Sequence, residues 1–70
     1  MTYRVKQINY DCYIIERYDE PVDTWVPCDD YGKFVKNDAD IVKYYSDEGK
    51  EDAINMIKFW LDNPKGKIVY

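Results

Sequence analysis

Two cysteines, fourteen carboxylates and no histidine set the chemistry open to this 70-residue chain. Cys12 and Cys28 stand sixteen positions apart, which fits neither a CxxC redox pair nor a four-ligand zinc site. The first expectation is a pair of reduced thiols packed as small hydrophobes, and the second a single cross-strand disulfide. The missing histidine takes away the usual general base, the commonest metal ligand and the usual activator of a nucleophilic Cys or Ser. A calcium loop of the EF-hand kind needs acids at its first, third and fifth places before a glycine. Ahead of Gly32 those places hold Pro27, Asp29 and Tyr31, and ahead of Gly49 they hold Tyr44, Ser46 and Glu48. Asp29-Asp30, and Asp38 with Asp40, therefore read as solvated turn carboxylates. No GxSxG, P-loop or GxGxxG is present. A paired-carboxylate hydrolase would need a cleft that a chain this short can hardly enclose. No catalytic residue, cofactor-binding residue or metal ligand is expected.

The stretch that stands out instead is YDEPVDTWVPCDDYGKF, Tyr18 to Phe34, where aromatics alternate with acids. The net charge is −4, unevenly spread: residues 11–30 hold seven acids against Arg17, residues 1–10 hold only Arg4 and Lys6, and residues 31–70 balance seven acids with seven lysines. This distribution argues against direct contact with a nucleic-acid backbone or an anionic membrane, both of which demand a basic footprint. Mimicry of nucleic acid is the converse idea. A domain of this size spans roughly 28 Å, and duplex DNA of that length carries about sixteen phosphate charges. The stretch is too sparse for a full mimic and leaves a partial one, seated in a basic groove, as an alternative.

Aromatic residues make up 17% of the chain, more than a small core can hide, so some belong to the surface. Tyr and Trp supply large, rigid, amphipathic contact area and are enriched at interface hot spots. The candidate partner-binding residues are Tyr18, Asp19, Glu20, Asp23, Trp25, Asp29, Asp30, Tyr31 and Phe59. Tyr18, Trp25 and Tyr31 would be anchors, and the acids would steer association.

The elements that must position these residues are legible in outline. Thr2–Ile8 alternates as a half-buried strand, Asn9-Tyr10-Asp11 suits a turn, and Cys12–Tyr18 is rich in β-branched and aromatic residues, so the pair reads as an antiparallel hairpin. Asp19, Glu20, Pro21 and Asp23 break the pattern; Thr24–Val26 is a short third strand that Pro27 marks as an edge or an end. Phe34-Val35 resumes an extended pattern. Residues 37–45 suit a short helical turn, with a strand as the rival. A helix starts between Ser46 and Lys50 and ends near Leu61 or Asp62, stopped by Asn63-Pro64. At 100° per residue, Ala53, Met56, Ile57, Trp60, Leu61 and Ile54 share an arc of about 160°. Phe59 lies outside it, between Asp52 and Asn55. Lys67–Tyr70 reads as a last strand. One compact domain over residues 1–70 is expected: α+β, with an antiparallel sheet of three to four strands and one helix on one face, in the order β-β-β-α-β. The uncovered sheet face would be free for binding. No leader-like or long apolar segment is visible, so the expected location is cytoplasmic.

Taken together, MTYRV opening a strand, the DEPVDTWVPCDDYGKF stretch, a single helix around EDAINMIKFWL and a closing KIVY resemble small acidic phage-encoded inhibitor proteins of the anti-CRISPR or anti-restriction type. The resemblance implies stoichiometric action by occupying a protein surface, in the host cytoplasm if the chain is phage-encoded. It carries no motif, so it assigns no residue. The expectation is a non-enzymatic protein-binding module, needing no cofactor, whose partner offers a basic or mixed patch. A self-associating structural module, stabilised as a homodimer because the domain is small, is the alternative.

Overall fold

A computed structural model of the chain describes residues 2–62. It shows strands β1 (Tyr3–Asn9), β2 (Cys12–Asp19), β3 (Thr24–Pro27) and β4 (Tyr44–Tyr45), then helix α1 (Ser46–Asp62), with 3₁₀ turns at Glu20–Val22 and Asp38–Asp40. The four strands form one antiparallel sheet, so the class is α+β, in the order β-β-β-β-α over the described residues. The expected closing strand Lys67–Tyr70 lies outside them.

The β1–β2 hairpin follows from its turn. Asn9 Oδ1 accepts the Tyr10 N–H at 2.8 Å, and Asp11 takes a left-handed conformation (φ 62°), which aspartate tolerates better than most residues. The resulting register sets Arg4 opposite Glu16 and Val5 opposite Ile15, with an irregularity between Gln7 and Asn9. β2 is the centre of the sheet. β1 takes one of its edges, while β3 opposite Glu16–Asp19 and β4 opposite Cys12–Tyr13 share the other.

Residues 37–45 turn out to serve both readings of the sequence. Asp38–Asp40 makes the helical turn, and Tyr44–Tyr45 pairs with the vacant half of the β2 edge, a tertiary opportunity that local propensity does not reveal. The Ser46 N–H then donates to the Asp11 carbonyl at 3.0 Å, tying the start of α1 to the hairpin turn.

Helix and sheet meet over Ile15, Cys28 and Ala53, with Tyr3, Val5, Tyr44, Met56, Ile57 and Trp60 packed around them. The arc read from the sequence is thus the buried face of α1, except at its margin, where Leu61 is exposed. Trp60 meets Tyr3 with ring centroids 5.2 Å apart, which lays the last turns of α1 over the start of β1. The Tyr44 hydroxyl oxygen is buried and has no hydrogen-bond partner among the described residues. An orphaned hydroxyl of this kind is destabilising by about 1–3 kcal/mol. Tyr44→Phe is expected to raise the melting temperature by about 4–8 °C per kcal/mol recovered, read by thermal denaturation.

Both cysteines are free and buried, which removes the disulfide alternative. Cys12 is on the opposite face of β2 from Ile15, whereas Cys28 joins the core under α1. Burial is the main cause that pushes the Cys28 thiol up from 9.0 to about 11, against a smaller opposing effect of Arg17. Burial likewise raises the Tyr3 and Tyr44 phenols. A folded-state pKa above the unfolded value contributes stability that is complete below the unfolded pKa and disappears as pH climbs through the folded one. The domain is therefore expected to lose stability between pH 9 and 11, with a Cys28 share on the order of 2 kcal/mol. Urea denaturation across that range checks this: the fall should shrink in Cys28→Ala, and an undiminished fall contradicts the assignment.

Candidate partner-binding surface

Side chains alternate across a strand, so Glu16 and Tyr18 point away from Ile15 and from α1. Their cross-strand neighbours go with them: Arg4 opposite Glu16, and Trp25 opposite Tyr18. The Tyr18 and Trp25 rings meet nearly edge-on, with centroids 5.3 Å apart. Arg4 closes the cluster, its guanidinium 4.3 Å above the Trp25 ring while Nε and Nη2 each lie 2.7 Å from Glu16 Oε1. Lys6 Nζ stands 4.0 Å from Glu16 Oε2.

Glu16 is only 5% exposed, and Ile14 on the same face is equally buried, so the middle of the sheet face away from α1 is not the open platform expected from the sequence. A carboxylate that deep needs its arginine, because removing one partner leaves a desolvated charge behind. Trp25 is correspondingly half-buried with one face already occupied. Tyr18 and Trp25 are thus structural members of this face that border the acidic turn.

That turn is the more exposed half of the surface. Asp19 ends β2, Glu20-Pro21-Val22 make a single 3₁₀ turn, and Asp23 closes it in a left-handed conformation (φ 52°), its N–H donating to the Glu20 carbonyl at 3.1 Å. Pro21 pre-sets the turn and Val22 projects from its tip. Among the described residues no ion pair joins Asp19, Glu20, Asp23 or Asp30 to a base; the pairs present are those of Glu16. Their negative field is therefore left to solvent and to whatever approaches.

A second turn follows β3. Asp29 Oδ1 accepts the N–H groups of Tyr31 at 2.9 Å and Lys33 at 3.0 Å, so this carboxylate is engaged in shaping the loop instead of facing outward. Gly32 has φ 78°, and a Cβ there would come within 3.3 Å of the Trp60 ring. Both facts favour glycine, and the contact seats the turn on the C-terminal half of α1. Asp30 and Tyr31 at the tip are exposed, Tyr31 to 77%. Phe59, the chain neighbour of Trp60, is 48% exposed on the same helix.

The nine expected residues consequently fall on two sides of the sheet. Tyr18, Trp25 and the Asp19–Asp23 turn occupy the sheet end and the face away from α1. Asp30 and Tyr31 are at the tip of the turn that Gly32 seats against Trp60, with Asp29 holding that loop, and Phe59 is exposed on the same helix. Compared with protein-family models, with curated proteins and with solved structures, the chain finds no match. The functional reading accordingly rests on geometry and charge. Among the described residues no group of three or more acid or thiol side chains converges in a way that could hold a metal ion, and no helix is long and apolar enough to cross a membrane. Cys28, buried and pushed up to about 11, is in the reverse of the state that an activated nucleophile requires.

Four residues outside the expected set shape this surface: Arg4, Glu16, Arg17 and Phe34. The first two were within reach of the sequence, since a hairpin turning about Tyr10 pairs positions whose numbers sum to twenty, and that pairs Arg4 with Glu16. Arg17 and Phe34 were not. Their contact depends on residues 34–35 folding back along β3, where Cys28 bridges to Phe34 and the Val35 N–H donates to the Pro27 carbonyl at 3.0 Å.

Proposed function

We propose that this chain is a non-enzymatic protein-binding module that acts stoichiometrically, docking its acidic turn and the neighbouring aromatic residues on a basic or mixed patch of a protein partner. The observation that carries this reading is the set of carboxylates formed by half-buried Asp19 and exposed Glu20, Asp23 and Asp30, unpaired among the described residues and flanked by exposed Val22 and Tyr31. Uncompensated charge does little for the fold and much for encounter rate and orientation. Tyr31 supplies the rigid apolar contact that turns an encounter into a complex. The resemblance to small phage-encoded inhibitors points the same way, toward occupation of a host protein's surface.

The structure changes which residue is the better probe. Trp25 is clamped by Arg4 and Tyr18, so its removal would disturb the sheet as well as any interface. Tyr31 is free of that ambiguity at 77% exposure. Affinity capture from a bacterial lysate with the intact chain is expected to retain a protein that Tyr31→Ala loses and that Asp47→Asn, in the first turn of α1, still holds. Equal capture by all three would remove Tyr31 from the surface.

A further inference from the structure

Beside the acidic turn lies a groove of about 380 Å³ at the end of the sheet, whose lining includes Arg17, Tyr18, Asp19, Glu20, Pro21 and Phe34. Arg17 shares the helix-facing side of β2 with Ile15 and stands opposite Tyr3 and Val26. Its guanidinium lies over the Phe34 ring at 4.7 Å. Among the described residues that guanidinium makes no ion pair and no side-chain hydrogen bond, although two carboxylates line the same groove. The contact with the ring is a cation–π one, and the forked N–H donors make no bond to a described side chain. A half-buried cation that rests on a ring and meets no side-chain acceptor among the described residues suits an anion that arrives from outside.

We infer that this groove receives a peptide segment of the partner in which an acidic side chain neighbours a basic one. The carboxylate takes the two-pronged edge of Arg17. The basic side chain lays its methylene stem on Pro21 and Phe34 and delivers its charge to Asp19 and Glu20. The acidic rim is what selects this ligand over a phosphate group: two carboxylates repel a doubly charged anion far more than a planar carboxylate that brings its own cation. The inference deepens the proposed function and rests on it, since it names the chemistry of the partner segment at one end of the surface.

The test titrates the full chain, ¹⁵N-labelled, with N-acetyl-Arg-Asp-amide and follows backbone amide shifts. Saturable shifts are expected at Thr2, Arg17, Asp19, Glu20 and Phe34. N-acetyl-Arg-Asn-amide and N-acetyl-Gln-Asp-amide should each bind about tenfold more weakly, and inorganic phosphate should leave these amides in place. Arg17→Lys, which keeps the charge and loses the fork, should weaken the Arg-Asp peptide by about tenfold. The ligand comparison needs no variant, so it decides the matter even if Arg17→Lys is poorly folded. Equal binding of the Arg-Asn peptide, or shifts located away from the groove, would overturn the inference. Should these amides stay still while neutralising Asp19, Glu20 and Asp23 still slows association with the captured partner, the groove assignment fails and the reading of the acidic surface stands.

Discussion

Replacing Ile15 with alanine is expected to destabilise the domain by about 3–4 kcal/mol. Ile15 is 1% exposed at the centre of β2, where the sheet meets Ala53 of α1 and Cys28 beyond β3. Truncation there removes the transfer energy of the lost methylene and methyl groups and leaves a cavity walled by two strands and a helix. That space cannot collapse easily, because Tyr3, Val5 and Trp60 are fixed around it by the β1 register and the Tyr3–Trp60 contact. A domain of this length has a total stability of only about 4–10 kcal/mol. The variant should therefore melt at least about 15 °C lower, or be unfolded at 37 °C. Circular dichroism through a thermal ramp reads this out, and a loss below about 1 kcal/mol would mean that the sheet and helix do not meet there.

The second large effect runs against helix propensity. Gly49 is in the first turns of α1, where alanine would ordinarily be better by about 1 kcal/mol. In this helix a Cβ at Gly49 would stand 2.9 Å from the Tyr44 carbonyl carbon and 3.3 Å from Tyr44 Cβ. The obstacle is backbone in β4, which is paired to β2 and cannot step aside as a flexible side chain would. Gly49→Ala is thus expected to be destabilising by about 1–3 kcal/mol net, as overpacking usually is. Chemical denaturation measures it, and a variant more stable than the parent would show that α1 does not approach β4 this closely.

These two positions illustrate what the sequence could and could not disclose. Ile15 was readable, since the hairpin signals around Asn9-Tyr10-Asp11 and the period of Cys12–Tyr18 place it in a strand, and the apolar arc of Ala53, Met56, Ile57 and Trp60 supplies its cover. The start of α1 at Ser46 falls within the expected Ser46–Lys50 window, and the expected stop at Asn63-Pro64 lies outside the described residues. Gly49 was legible only as a failed calcium-loop glycine. Its actual reason is the close approach of Tyr44, a residue in a two-residue strand whose existence depends on an edge left vacant by β3. Local pattern carries no information on such vacancies.

The surface shows the same division. That the stretch from Tyr18 to Phe34 combines acids with aromatics is plain from composition. How its members are deployed is not, because each carboxylate's fate depends on backbone geometry. Asp29 bends back to the N–H groups of Tyr31 and Lys33, whereas Asp19, Glu20 and Asp23 find no base among the described residues. Trp25, expected as an anchor, is half-buried with its ring under Arg4, which Glu16 positions from the next strand.

The central claim is that the exposed acids steer this module to a protein partner, and its most direct test is the association rate with the captured partner, measured by stopped flow at low and at high salt. The comparison is between the parent and Asp19→Asn, Glu20→Gln, Asp23→Asn combined, in which Asn also tolerates the left-handed conformation of residue 23. The account predicts association slowed about tenfold or more at low salt, a flattened salt dependence, and a dissociation rate changed far less. Parent-like association at low salt with parent-like salt dependence would contradict it.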